Sequence, residues 1–150
     1  MRLTVTQADS NRRHTDACTT IDASVSGDIL SAGDDGAVWR WNGSAEPVKK
    51  LLELECAATI VRWLPGSGRK KVGGVASSGT AVSTGAPAGG DAFVVGCANG
   101  TFCFVSATTG RIEKSVDAHT GAITSLTWGP EGTTIVTSGE DGCIRVWSQS

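Results

Sequence analysis

Residues 117–148 read DAHTGAITSLTWGPEGTTIVTSGEDGCIRVWS, and this stretch decides the fold. It contains three short runs that alternate apolar and polar residues, separated by glycine, proline and aspartate. Period-two alternation interrupted by such turn residues is typical of short antiparallel β-strands. Asp141-Gly142 lies between the last two runs, and both residue types tolerate the positive φ that tight hairpins require. The stretch therefore predicts consecutive antiparallel strands joined by tight turns.

The same pattern recurs near the amino terminus. When the Asp-Gly turns of the two stretches are aligned, a hydroxyl residue, an Asp and a Trp coincide without a gap, and a His precedes each set. The pairs are His14 with His119, Ser31 with Thr137 (Ser138 being the alternative), Asp35 with Asp141, and Trp41 with Trp147. Four matched positions indicate a repeated structural unit.

These units resemble the WD repeat, the blade of a β-propeller. The resemblance implies that the His, hydroxyl, Asp and Trp of each blade form one hydrogen-bonded structural group. The chemistry fits, because a buried carboxylate needs donors, and an imidazole, a hydroxyl and an indole N–H supply them.

Two catalytic interpretations compete with this one. His119, Asp141 and a hydroxyl could suggest a hydrolase triad, and the pair Asp34-Asp35 could suggest acid–base catalysis or a cation site. The structural interpretation is favoured, because no strained nucleophile turn such as G-x-S-x-G accompanies the first set. No further convergent oxygen ligands lie near the second. We therefore assign no catalytic, cofactor-binding or metal-binding residue, and expect no cofactor.

A third, degenerate unit lies between the other two. Asn99-Gly100 occupies its turn, 42 residues before Asp141, a spacing within the roughly 40–45 residues of a WD unit. Asn99 replaces the Asp, Val95 the hydroxyl and Val105 the Trp. Burial of aromatic side chains must hold this unit instead; the candidates are Phe93, Phe102 and Phe104.

The domain prediction follows from these units: an all-β, WD40-type propeller that is incomplete, with about three four-stranded blades. The predicted segments are a closing strand at 2–7, blade 1 at 14–55, blade 2 at 56–116 and blade 3 at 117–150, without its outer strand. Residues 47–55 fit an outer strand, although their Lys, Leu and Glu content also fits a helical turn. Residues 66–90 hold 8 of the 20 glycines and no aromatic residue, which predicts a flexible insertion in blade 2. Its basic triplet, residues 69–71, could dock on an acidic partner, but a solvated loop is the simpler interpretation.

The composition excludes several classes of function. The net charge of −2 gives no electrostatic footprint for nucleic acid. The five cysteines show no C-x-x-C pairing, and the two histidines lie at equivalent places in separate repeats, so a zinc site is not expected. No run reaches membrane-spanning length, so we expect no membrane insertion. Since propellers close at 4–8 blades, we expect residues 1–150 to be the amino-terminal part of a larger protein, a truncated gene model or a fragment.

Several further pieces are more specific than a general WD repeat: DDGAVWRWN (34–42), GRIEKSVDAHTGAI (110–123) and VTSGEDGCIRVWS (136–148). With the degenerate second unit, they resemble the amino terminus of the intraflagellar transport protein eighty family, WD-repeat subunits of the intraflagellar transport B complex. The resemblance implies a non-enzymatic scaffold for cilium or flagellum assembly that contacts other, peripheral B subunits and tends to self-associate. It also implies location at the cilium or flagellum, the basal body and the cytoplasm. A generic WD40 adaptor of another complex, such as a ubiquitin-ligase receptor or a chromatin reader, is the alternative.

Overall fold

The computed structural model describes residues 1–4, 13–66 and 91–148, and these form eleven β-strands and no α-helix. A single 3-10 turn, Pro130–Gly132, interrupts the strand pattern. The strands are β1 Cys18–Ala23, β2 Ile29–Gly33, β3 Ala37–Trp41, β4 Pro47–Glu53, β5 Ala58–Trp63, β6 Ala92–Cys97, β7 Thr101–Ser106, β8 Ile112–Asp117, β9 Ile123–Trp128, β10 Thr134–Gly139 and β11 Ile144–Ser148.

The strands form three antiparallel sheets, each built from strands consecutive in sequence. Two sheets have four strands, in the orders β1-β2-β3-β4 and β5-β6-β7-β8, and the third has the order β11-β10-β9. We call them blades 1, 2 and 3. The all-β, WD40-type fold is thereby confirmed: four-stranded sheets of this kind are propeller blades. Residues 47–53 are a strand paired with β3, so the helical interpretation of this segment is wrong.

Glycine fixes the hairpin between the second and third strands of every blade. Gly36, Gly100 and Gly142 have φ values of 72°, 87° and 77°, a left-handed conformation that other L-residues adopt only with strain. At Gly100 a Cβ atom would also lie 1.9 Å from the backbone oxygen of His119. The turn therefore needs glycine both for its own conformation and for its approach to the next blade.

The hydrophobic core lies between the sheets rather than within any one of them. One cluster joins blades 1 and 2 and includes Leu30, Val38, Val61 and Phe93, all fully buried. A second joins blades 2 and 3 through side chains that include Ile60, Val94, Phe102, Ile123 and Leu126. Because a sheet face is apolar only where another sheet covers it, each blade depends on its neighbour for most of its burial.

Two predicted segments lie largely outside the described residues. The structure does not describe residues 5–12, which include most of the predicted closing strand at 2–7. It does not describe residues 67–90, which are almost all of the predicted insertion at 66–90. The described residues 2–4 are not part of a strand. No helix within the described ranges is long and apolar enough to cross a bilayer.

Candidate functional site

The polar group of blade 3 is a single line of hydrogen bonds. The Nε1–H of Trp147 donates to Thr137 Oγ1 over 2.9 Å. His119 Nε2 lies 2.8 Å from the same hydroxyl, and its Nδ1 lies 2.9 Å from Asp141 Oδ1. The structure thus brings the four residues together and selects Thr137, since Ser138 contacts Thr124 instead.

One arrangement of protons satisfies this line. An ionised carboxylate only accepts, so His119 donates from Nδ1 to Asp141, and its Nε2 then accepts from the hydroxyl of Thr137. That hydroxyl oxygen remains free to accept from Trp147. Thr137 and His119 are 1% and 8% exposed, so losing any member would leave a buried polar atom unpaired.

Asp141 has more donors than the aligned residues alone supply. Arg145 Nη1 donates to Oδ2 over 2.9 Å, and the backbone N–H groups of Cys143 and Thr120 donate as well. The same Nη1 lies 2.7 Å from His119 Nδ1; with Nδ1 protonated, this is a contact between donors and not a hydrogen bond. The hydrogen bond from His119, opposed by desolvation and reinforced by Arg145 and the backbone donors, holds the pKa of Asp141 well below its usual range.

Blade 1 repeats this group. Trp41 Nε1 and His14 Nε2 both lie 2.8 Å from Ser31 Oγ, and His14 Nδ1 lies 3.0 Å from Asp35 Oδ1. Burial would raise the pKa of Asp35, but the hydrogen bond from His14, with those from two backbone N–H groups, outweighs it and lowers the pKa. At the place of Arg145 blade 1 has Trp39, so the guanidinium contact that Arg145 makes in blade 3 is not repeated at this position.

Blade 2 lacks the group entirely. Among the described residues, the side chain of Asn99 accepts hydrogen bonds within its own turn, from the backbone N–H and the hydroxyl of Thr101. Equivalent backbone hydrogen bonds show the place of the histidine. In each blade an alanine oxygen accepts from the hairpin between the second and third strands; these residues are Ala17, Ala57 and Ala122. The two histidines precede Ala17 and Ala122 by three residues. In blade 2 that position is Leu54, which packs against the core between blades 1 and 2. An apolar side chain therefore replaces the imidazole.

Charged and polar side chains connect blade 1 to blade 2. Arg40 pairs with Asp28 in blade 1, donates to the backbone oxygen of Ala107 and lies 5.8 Å from the ring centroid of Trp63. Asp22 Oδ2 accepts from the backbone N of Trp63 over 2.7 Å. This interface is held in register by specific bonds.

The interface between blades 2 and 3 is aromatic. Phe102 contacts both Phe104 and Trp147 edge-on, with ring centroids 5.9 and 5.6 Å apart, and Phe104 lies 6.3 Å from Trp128. A cavity of about 100 Å³ opens beside these rings and is also lined by Lys114 and Ile135. Trp147 therefore has two roles: it donates a hydrogen bond within blade 3 and packs against Phe102 of blade 2.

The five tryptophans divide into two groups by hydrogen bonding. Trp41 and Trp147 donate to the hydroxyls of their blades, whereas three buried indole nitrogens have no partner among the described residues: Trp39, Trp63 and Trp128. Sequence reasoning also missed Arg145 and Arg40. Strand alternation places Arg145 beside Trp147, but only the fold shows that its guanidinium turns back to Asp141.

The chemistry of these groups is structural. Each hydroxyl is occupied by an indole and an imidazole, and each carboxylate by an imidazole and backbone N–H groups. Over the described ranges, no three His, Cys, Asp or Glu side chains converge as a metal site would require. The arrangement can hold a blade rigid and present its loops and outer faces to other molecules.

Comparison with known proteins agrees with this geometry. Residues 110–148 match the family model of the WD domain, G-beta repeat, so the chain is a WD40-type, all-β protein. It is 29% identical over 141 residues to the intraflagellar transport protein 80 homolog of Rattus norvegicus, across 92% of this chain and 16% of that protein. The corresponding mouse protein is 28% identical over the same length. These matches confirm the resemblance predicted from the sequence, and the chain spans 16% of the length of these relatives.

A shorter stretch is similar to another kind of protein. The COMPASS component SWD1 of Saccharomyces cerevisiae is 35% identical over 65 residues, which covers 41% of this chain and 15% of that protein.

Proposed function

We propose that this chain is a WD-repeat scaffold region of an intraflagellar transport B subunit, acting in cilium or flagellum assembly through contacts with other B subunits. The observation that carries the proposal is the alignment over 92% of the chain with the intraflagellar transport protein 80 homologs. An alignment of that extent spans all three blades, whereas the similarity to the yeast COMPASS component covers 41% of the chain.

The structure supports a scaffold and not a reaction site. The side chains of the two polar groups hydrogen-bond to one another inside their blades. The aromatic and charged side chains between the blades pack or bond one sheet against the next. What remains for partners is the surface of the blades, including the loops at the ends of the strands.

Affinity purification from ciliated cells tests this proposal. The tagged chain is expressed in such cells, recovered from isolated cilia or flagella, and its co-purifying proteins are identified by mass spectrometry. We expect enrichment of intraflagellar transport B subunits. The matched control is the double variant Asp35→Asn/Asp141→Asn, which loosens both polar groups and leaves every exposed apolar residue in place; the enrichment should fall with it. Recovery of other proteins, with B subunits at background, would refute the proposal.

An adaptor of another complex is the second candidate, favoured by the similarity to the COMPASS component SWD1. Localisation of the fluorescently tagged chain separates the two. Signal at the basal body and along the cilium supports the transport subunit, whereas a nuclear signal without a ciliary one supports a chromatin-associated adaptor.

A further inference from the structure

The sequence contains two Asn-Gly pairs, and each lies in a hairpin between neighbouring strands. Asn42-Gly43 is in the turn between β3 and β4 of blade 1, and Asn99-Gly100 is in the turn between β6 and β7 of blade 2. In such a pair the backbone nitrogen of the glycine can attack the side-chain carbonyl carbon of the asparagine, because glycine has no Cβ to crowd that nitrogen. The two pairs are identical in sequence, so a difference in their reactivity would come from the fold.

The backbone of Gly100 is fixed at both of its polar groups. Its N–H donates to the oxygen of Cys97 over 3.1 Å, and its oxygen accepts from the N–H groups of Ala118 and His119, each over 3.0 Å. Gly100 is also buried, and its close approach to the His119 oxygen leaves no space around it. The nitrogen of Gly100 is therefore engaged, and its turn has no room to rearrange.

The backbone of Gly43 is not fixed in this way. Among the hydrogen bonds that join the described residues, none is donated by the Gly43 N–H. Gly43 is exposed, and a Cβ placed there would meet the oxygen of Gly27 at an ordinary contact distance of 3.4 Å. The same turn holds Ala45 at a φ of 58°, a left-handed conformation that costs free energy for a residue with a Cβ. The nitrogen of Gly43 is therefore available, and its turn is strained and has room to rearrange.

The asparagine side chains do not distinguish the two pairs. Asn42 Oδ1 accepts from the backbone N–H groups of Ser44 and Glu46 over 3.0 and 2.9 Å. Asn99 Oδ1 likewise accepts two hydrogen bonds, both from Thr101, over 3.1 and 2.8 Å. In each turn these donors polarise the carbonyl group that would be attacked. The contrast between the pairs therefore lies in the backbone of the glycine.

We propose that Asn42 is a modification site that converts to aspartate and isoaspartate with water as the only co-reactant, whereas Asn99 is protected by the fold. The Gly43 nitrogen loses its proton to hydroxide and forms a bond to Asn42 Cγ. The bond from Cγ to Nδ2 breaks, and the amide group takes up a proton and leaves as ammonia. Water then opens the succinimide ring: attack at Cγ gives aspartate, and attack at the backbone carbonyl carbon gives isoaspartate. No atom is oxidised or reduced.

The modification would loosen the hairpin between β3 and β4. Asn42 Nδ2 donates to Glu46 Oε2 over 2.8 Å, and a carboxylate in its place would face the carboxylate of Glu46, so that like charges repel. Isoaspartate would also lengthen the main chain of the turn by one methylene. Strand β4 carries Leu51, which is buried in the core between blades 1 and 2, and Lys49, whose Nζ donates to the oxygen of Thr108 in blade 2. The contacts between these blades would therefore weaken at the outer strand.

Peptide mapping of the full chain tests the proposal. The folded protein is incubated at mildly alkaline pH, and trypsin cleavage in water labelled with heavy oxygen marks any reaction during digestion. Cleavage after lysine and arginine places Asn42 in peptide 41–49 and Asn99 in peptide 72–111. We expect a mass gain of one dalton in peptide 41–49, severalfold faster than in peptide 72–111, with isoaspartate identified by electron-transfer fragmentation. In denaturant the two rates should become similar, because the fold no longer protects Asn99.

Variants test the route and its consequence separately. Gly43→Ala should slow the reaction at Asn42 severalfold, since the added Cβ crowds the attacking nitrogen, and the turn accepts alanine without a clash. Asn42→Asp places the carboxylate of one product in the turn, and hydrogen exchange of the β4 amides should then be faster than in wild type. Asn42→Asp/Glu46→Gln removes the repulsion and should restore slower exchange. Circular dichroism checks that each variant is folded.

Four results would overturn the proposal. Equal rates at Asn42 and Asn99 in the folded protein would show that the fold does not select between the pairs. A reaction at Asn42 in denaturant but not in the folded protein would show that its own turn protects it. An unchanged rate in Gly43→Ala would exclude attack by the Gly43 nitrogen. Unchanged exchange in Asn42→Asp would remove the loosening of β4.

Discussion

Blades 1 and 3 each contain a line of hydrogen bonds from indole to carboxylate, whereas blade 2 has the same strand order with none of it. In blade 2, Leu54, Val95 and Val105 stand where the other blades have imidazole, hydroxyl and indole. Its hairpin still closes, because Gly100 keeps the left-handed conformation shared by all three blades. The comparison shows that turn glycines and apolar faces suffice to form a blade, and that the polar group adds stability to a sheet already specified.

The largest loss in the free energy of unfolding should come from removing a buried aromatic side chain of blade 2. Phe93 is fully buried between blades 1 and 2 and contacts Trp63 edge-on. Phe93→Ala should lower the free energy of unfolding by about 3–5 kcal/mol through lost burial and the cavity left behind. Chemical denaturation measures it, with Ile112→Ala on the half-exposed outer strand as control. A loss no larger than that of the control would show that blade 2 is not held by its core.

The polar group of blade 3 should contribute less to the free energy of unfolding than the aromatic core of blade 2. Thr137→Val preserves shape but leaves His119 and Trp147 without their shared hydroxyl, so we expect a loss of about 2 kcal/mol in the free energy of unfolding. Thr133→Val is the control, since that hydroxyl is exposed. Equal stability of the two variants would mean that solvent or rearrangement satisfies the orphaned nitrogens.

Lowering the pH should reduce the stability that the two carboxylates contribute, and by unequal amounts. Folding lowers the pKa of both Asp141 and Asp35, so each ionised carboxylate stabilises the fold above the unfolded pKa of about 3.9, and this contribution is lost as pH falls through the folded pKa. The difference in melting temperature between wild type and Asp141→Asn should therefore be full at neutral pH and shrink at acid pH. Asp35→Asn should show a smaller difference, because blade 1 has Trp39 at the place of Arg145, which donates to the carboxylate in blade 3. A difference that widened in acid would contradict the assignment of ionised carboxylates.

The smallest effect should come from restoring one member of the group to blade 2. Asn99→Asp creates the carboxylate but finds Leu54 in place of the histidine, so the free energy of unfolding should change by no more than about 0.5 kcal/mol. Asp141→Asn is the reciprocal control and should cost clearly more. A marked stabilisation by Asn99→Asp would mean that the aspartate acts through its own turn and not through the imidazole.

The sequence alone determined the elements and their order. The three alternating runs within residues 117–148 are strands β9, β10 and β11. Strand β4 was predicted with an alternative, because Lys, Leu and Glu favour helices as well as fitting a strand edge. The aligned Asp-Gly turns predicted the Asp, Trp and hydroxyl positions of the two polar groups, because strict spacing in a hairpin places them at equivalent points. The choice of Thr137 over Ser138 came from the structure.

Only the tertiary structure decided what lies between the blades. The proximity of Arg145 to Asp141 and the contacts of Arg40 with blade 2 depend on the direction of side chains and on the sheet that packs against them. The placement of Leu54 depends on backbone bonds between a loop and the turn of its own blade. Spacing along a strand fixes which face a residue occupies, but it does not fix which side chain from another strand, loop or blade meets it there.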